Sequence, residues 1–242
     1  MNTEERLKRE KEFHNETFST NSRKAASKYY KSAGSSLDFY KNTICNNIQG
    51  KKVLEYGCGP GSASFDLARL GAEVYAIDIS DVAIEQTKAK ALSEGLEIHC
   101  SVMDAENLSF EDATFDLICG RAILHHLDLE RSYSELKRTL KPDGKAVFFE
   151  PLGHNPIINI YRYFTPKMRT VDEHPLLIED IKLAEKYFAI VNSNHFNLIA
   201  TASSFLPFLS RILNNVDKFL FKMLPFLKKY SWITVIEFSK PK

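Results

Sequence analysis

The sequence predicts an α/β fold: a doubly wound, seven-stranded, mostly parallel sheet with helical cap elements. Three observations predict it. From Lys52 onward, short apolar runs alternate with helical stretches of ten or so residues, the rhythm of βαβ units. The first run leads straight into a glycine-rich turn, Glu55-Tyr56-Gly57-Cys58-Gly59-Pro60-Gly61, that opens a helix. An acidic residue, Asp78, closes the second run, where a doubly wound fold places a ribose-binding carboxylate.

The elements follow in order. Residues 1–24 carry 11 Asp, Glu, Lys or Arg side chains and read as a solvated arm of helical character. Residues 25–49 suggest two short helices around the break at Gly34-Ser35-Ser36. Strands are expected over 52–56, 73–78, 96–102, 115–119 and 145–150. Helices are expected over 62–70, 80–94 and 129–140. Gly71 and Gly95 stop the first two, and Lys141-Pro142-Asp143-Gly144 stops the third as a turn. After Glu150 the rhythm lapses for about thirty residues, as it does in functional loops. It resumes with a helix near 178–186, a strand near 189–198, a helical stretch over 205–228 and a last strand over 232–238. The domain reading is an N-terminal cap over 1–49 and a main domain over 50–242, with substrate-side insertions near 151–180 and 200–230.

Composition excludes several classes. The chain has 242 residues, 44% apolar and 26% charged, which is ordinary for a globular protein and excludes wholesale disorder. Its net charge is +1, which argues against a nucleic-acid partner. There is no long apolar run to cross a membrane and no secretory leader pattern. The four cysteines form no CxxC pair, which fits a reducing, cytoplasmic setting and neither a zinc ribbon nor a disulfide framework.

The turn carries the chemistry. Its glycines allow positive φ and close approach of a ligand to the backbone, and the helix start behind it offers free N–H groups. A dinucleotide site would want GxGxxG, yet Ser62 stands where the third glycine would fall. Glu55, two residues before Gly57, is out of place beside a pyrophosphate and suits a ligand with an ammonium group.

With Met103-Asp104-Ala105 after the third strand and FDLICGRAILHHL along the fourth, the sequence resembles the class I S-adenosylmethionine-dependent methyltransferases over roughly residues 50–150. The order of landmarks is that of the small-molecule branch that includes the ubiquinone and menaquinone biosynthesis enzymes. The resemblance implies S-adenosylmethionine as cofactor and S-adenosylhomocysteine as product. It implies that Gly57 and Gly59 lie under the methionyl part, Asp78 binds the ribose and Ile79 flanks the adenine. Asp104 would cap the adenine amino group, Ala105 would donate its backbone N–H, and Arg121 would face the methionyl end. Relatives often fold an N-terminal helix over the cofactor with a tyrosine near its methionyl end, which singles out Tyr30 beside Tyr29. Nucleic-acid amino methyltransferases of this class carry Asp/Asn-Pro-Pro-Tyr/Phe after the fourth strand. Cys119-Gly120-Arg121-Ala122 departs from that pattern.

His125 and His126 are the candidate catalytic residues, since a histidine near the sulfonium can take a proton from an oxygen or nitrogen nucleophile. Adjacent helical side chains diverge by about 100°, so at most one faces the cofactor. The pair is poor metal geometry without a third ligand, and no metal is expected. Residues 151–176 lie beyond the carboxyl end of the fifth strand. There Arg162, Arg169, Glu173 and His174 are the candidate substrate contacts, or else brace the loop. In 205–229 a helical stripe of apolar positions (205, 208, 209, 212, 216, 219, 220, 223) rides with Arg211, Lys218, Lys222, Lys228 and Lys229. It reads as a cap, core or interface helix, with a membrane surface as the alternative. The expected function is methyl transfer to a small-molecule acceptor by a monomer or homodimer. A peptide or lipid-like acceptor, or cofactor binding without catalysis, are the alternatives.

Overall fold

The computed structural model describes residues 3–20, 33–166, 170, 173–204 and 206–242. Its centre is a seven-stranded sheet of β1 (Lys52–Tyr56), β2 (Glu73–Asp78), β3 (Ile98–Val102), β4 (Phe115–Arg121), β5 (Leu140–Pro151), β6 (Phe188–Phe196) and β7 (Ile233–Pro241). The strand order is β3-β2-β1-β4-β5-β7-β6. Strands β1 to β5 pair in parallel, and β7 runs antiparallel between β5 and β6. The order reverses between β1 and β4. The crevice at their carboxyl ends is where such sheets bind ligands.

Alternation along the strands feeds two cores. Leu54, Tyr56, Ile118, Phe148 and Phe238 point to one face, under α5 (Leu129–Thr139) and α7 (Ile178–Leu183). Val53, Leu117, Cys119, Val147 and Phe149 point to the other, toward α2 (Gly34–Cys45) and α6 (Pro156–Phe164). A sheet covered on both faces needs continuous apolar strands, and β4 and β5 are read that way. Helices start where the sequence supplies caps. The Ser80 hydroxyl accepts from the Ala83 N–H at the head of α4 (Asp81–Ser93), Asp128 accepts from the Glu130 and Arg131 N–H groups ahead of α5, and Asn155 caps α6 with Pro156 in its first turn. One short helix, α3 (Ser64–Arg69), follows the glycine turn.

Two expectations are corrected and a third is narrowed. The Lys141–Gly144 turn is absorbed into β5. Against β4, pairing steps from Phe115–Leu140 to Leu117–Lys145, so the intervening residues form a bulge. A Cβ on Gly144 would meet Leu140 and the Phe115 carbonyl at 3.0 Å, so the bulge closes only around glycine. Residues 3–20 of the N-terminal arm are not wholly solvated. Its helix α1 (Thr3–Thr20) lies on the carboxyl end of the sheet with Glu10 and Thr17 buried. Finally, the apolar stripe of α8 (Ser210–Met223) faces outward. Ile212, Phe219 and Met223 are exposed, and the helix buries Asp217 and Phe221 instead. The Asp217 carboxylate accepts the N–H groups of Leu198, Ile199 and Ala200, which fixes the inward face. Among the described residues no helix is long and apolar enough to cross a membrane.

Candidate active site

The turn after β1 is held from below. Glu55 is fully buried, and its carboxylate accepts the N–H groups of Ala63 (2.7 Å) and Ser64 (2.8 Å) and the hydroxyls of Ser62 and Ser64. Glu55 therefore staples the turn to the head of α3 and does not line the cavity, contrary to its reading as a ligand contact. Gly57 and Gly59 do line it, at φ of +71° and +53°. A Cβ on Gly57 would sit 2.7 Å from Ile123, and one on Gly59 would reach toward the Phe18 ring of α1 at 3.5 Å. Side chains here would strain the turn and fill the space between it and α1.

Asp78, Ile79, Asp104, Ala105 and Arg121 all reach the same cavity. Asp78 takes the Gly59 N–H at 2.8 Å on one oxygen and the Ser80 N–H at 2.9 Å on the other. Burial pushes its carboxyl above the usual aspartate value, against the pull of those two donors. One oxygen of Asp104 accepts the Glu106 N–H at 2.9 Å. The backbone turn that ends β4 carries Ala122 at φ +56°, an unusual conformation for a residue with a Cβ.

The histidine pair divides as its geometry requires. His126 lines the cavity. His125 sets Nδ1 2.7 Å from Glu150 and Nε2 3.8 Å from Glu173. Glu150, at the end of β5, also accepts the Ile123 and Leu124 N–H groups and so shapes the turn that carries both histidines. Burial raises its carboxyl to about 7.

Of the candidate substrate contacts, Glu173 meets His125. His174 turns out, with its ring half exposed and 3.5 Å from Asp180, although its N–H donates to the His125 carbonyl at 3.2 Å. Arg162 donates to the Leu152 carbonyl and the Asn159 side chain, which makes it a brace of α6 away from the cavity. Tyr30 and Arg169 lie outside the described residues.

Helix α1 closes the cavity with groups that the sequence reading had assigned to solvent. Arg6, Glu10, His14 and Phe18 line it. Arg6 donates to the His126 carbonyl at 3.0 Å and pairs with Glu106, which also accepts the Asp128 N–H. Asn15 bonds both Ser80 and Asp81, so α1 is tied to the head of α4. Burial acts on Glu10 and His126 in opposite senses. It would raise the Glu10 carboxyl, but the adjacent His126 and His14 rings outweigh it and hold Glu10 well below the usual range. On His126 burial prevails, helped by His125, and lowers the ring below the ordinary histidine value. A carboxylate thus faces a ring whose protonation burial disfavours. Glu10 and Glu150 were legible only as charged residues, although Glu150 sits where β5 must end, at the ligand crevice.

Residues 54–148 match the family model described as a methyltransferase domain. Over these residues, less than half of the chain, the protein is similar to class I methyltransferases, whose methyl donor is S-adenosylmethionine. Among curated relatives, the ubiquinone biosynthesis O-methyltransferase of Nitrosococcus oceani is 37% identical to this chain over 122 residues, 50% of each protein. The enzyme of the same name from Coxiella burnetii is 35% identical over 109 residues, 45% of this chain and 46% of its own. The chain thus spans about half the length of the curated relatives it matches. Among solved structures, magnesium protoporphyrin IX methyltransferase from Synechocystis PCC 6803 superposes with a TM-score of 0.63 at 16% identity, covering 94% of this chain and 96% of that one. Phosphoethanolamine N-methyltransferase 2 of Haemonchus contortus gives a TM-score of 0.63 at 18% identity over 83% of this chain and 51% of its own. These structural likenesses concern the fold of the methyltransferase domain, whose matched residues contain every landmark from Glu55 to His126.

Proposed function

We propose that the protein transfers a methyl group from S-adenosylmethionine to a small-molecule acceptor. The observation that carries this reading is convergence: the Gly57–Gly61 turn, Asp78, Asp104 and Arg121 meet in one cavity, and α1 covers it. These residues fit the cofactor. Gly57 and Gly59 leave a bare backbone cradle, Asp78 offers a half-buried carboxylate suited to ribose hydroxyls, and Ile79 with Ala105 offers an apolar slot for the adenine. When bound, the cofactor supplies an activated methyl on a sulfonium. The chain then contributes alignment, exclusion of water by α1, and a place for the acceptor's proton.

For the proton we assign the histidine pair. His126 borders the cavity, and Glu150 fixes the orientation of the His125 ring through Nδ1, with Nε2 directed to Glu173. A small acceptor is favoured by the covered cavity and by the O-methyltransferase relatives, which act on intermediates of ubiquinone biosynthesis by their names. Glu173 is the best remaining substrate contact, since it reaches the pair from the loop after β5.

The test is turnover. The purified chain is incubated with S-adenosylmethionine and panels of hydroxylated aromatics, amines and peptides, and S-adenosylhomocysteine is quantified by mass spectrometry. Methylation of a small hydroxylated or amino compound supports the reading. Methylation of peptides alone would replace it with a macromolecular acceptor. Cofactor binding without any turnover across the panels would point to a binding module. His125→Gln should lower turnover about 10²-fold while S-adenosylhomocysteine affinity is kept.

A further inference from the structure

Glu10 and His14 form with His126 a cluster that the methyl-transfer reading uses only in part. Glu10 and His14 stand one turn apart on α1, and His126 comes from the turn after β4. One donor atom from each lies within 4.8 Å of the others. The Glu10 Oε2 is 3.2 Å from Nδ1 of His126 and 3.4 Å from Nε2 of His14. Both approaches lack hydrogen-bond alignment: Glu10 Oε2 and His126 Nδ1 are buried atoms with no hydrogen-bond partner. Both residues are more than nine-tenths buried, at 4% and 6% exposure. Buried polar atoms are rarely left so, and two facing each other ask for a third body between them.

We infer that these three residues form a divalent-metal site of the zinc type. Tetrahedral bonds of 2.0–2.1 Å hold neighbouring donor atoms about 3.3 Å apart, which matches the two observed contacts. Two imidazoles and one carboxylate are a ligand set of catalytic zinc sites, and it leaves one coordination position open. Two further contacts hold the cluster in place. The Thr170 hydroxyl donates to the other Glu10 oxygen, and Arg6 fixes the carbonyl of His126. The sequence withheld a metal because the histidine pair lacked a third ligand. Helix α1 brings two further ligands. The site leaves proton uptake to His125, and it stands independently of whether the chain methylates anything.

The test uses Zn²⁺ alone, with neither cofactor nor acceptor. The dialysed chain is titrated with Zn²⁺ against a competing chelator, and the loaded parent is examined by X-ray absorption. The expected result is one Zn²⁺ per chain with two imidazole ligands at about 2.0–2.1 Å. Glu10→Gln and His126→Gln should each weaken binding by roughly 100-fold or more, since even outer contacts of a metal site cost 10–100-fold. His154→Gln, outside the cluster, should leave it unchanged. Absence of stoichiometric Zn²⁺ binding, absorption without imidazole ligands, or binding unmoved by Glu10→Gln and His126→Gln would overturn the inference. The absorption measurement on the parent decides even where a variant fails to fold.

Discussion

Glu10 of the N-terminal helix and His126 of the turn after β4 face each other 3.2 Å apart in the covered cavity. The contact joins the N-terminal helix to the turn after β4 on the wall of the cavity. It makes α1 part of the site and not an appendage. The tie at the other end of α1 is Asn15, which bonds Ser80 and Asp81. Asn15→Ala should therefore speed release of S-adenosylhomocysteine severalfold in stopped-flow fluorescence. The melting temperature should fall by no more than about 4 °C, since these bonds are partly exposed. An unchanged release rate would mean that α1 does not gate the cavity.

Glu55→Gln tests the staple beneath the turn. The carboxylate accepts four donors, and a glutamine turns an N–H₂ toward some of them. A loss of roughly 1.5–3 kcal/mol in urea denaturation is expected, together with weaker cofactor binding. If Glu55 contacted the ligand directly, affinity would fall with stability intact.

Gly57→Ala tests the backbone cradle. The positive φ alone costs about 1–2 kcal/mol for a residue with a Cβ, and the new methyl would press on Ile123 at 2.7 Å. Cofactor binding should be lost in calorimetry while far-UV circular dichroism stays near the parent's. Retained binding would show that the turn can relax.

His195 predicts a pH dependence of stability. Its ring lies between Ser193 and Ser231, each 3.0 Å away, and burial lowers its pKa from 6.5 to about 4, with Lys228 adding to the effect. Below pH 6.5 the unfolded chain takes up a proton that the folded chain refuses until about pH 4. Stability from this group is thus full above pH 6.5 and is lost as the pH falls toward 4. The melting-temperature advantage of the parent over His195→Asn should shrink between about pH 7.5 and about pH 4.5. A constant difference would remove His195 from the account.

The βαβ core was legible because its signals are local. Apolar alternation marked the strands, Ser80 and Gly95 marked the ends of α4, and the turn from Glu55 to Gly61 marked the ligand crevice. Helix α1 was legible as a helical arm, but its cavity-facing side was not, because the inward stripe of Arg6, Glu10, His14 and Thr17 is polar. Hydrophobic periodicity cannot find such a face, although the spacing of four, four and three was there to read. The stripe of α8 faces outward, as its interface reading allows, because a buried carboxylate, Asp217, decides which side faces in. Arg162 looked like an anion contact, yet its Nη1 bonds the chain's own Leu152 carbonyl and Asn159 amide.

The central claim is that the cavity under α1 binds the methyl donor through Asp78. Calorimetric titration of the parent and of Asp78→Ala with S-adenosylhomocysteine tests it most directly. The account predicts tight binding by the parent and a loss of roughly 1.5–3 kcal/mol, about 10- to 150-fold, in the variant as the charged acceptor of the ribose hydroxyls is removed. Equal affinity in the two proteins, or tighter binding of NAD than of S-adenosylhomocysteine by the parent, would contradict it.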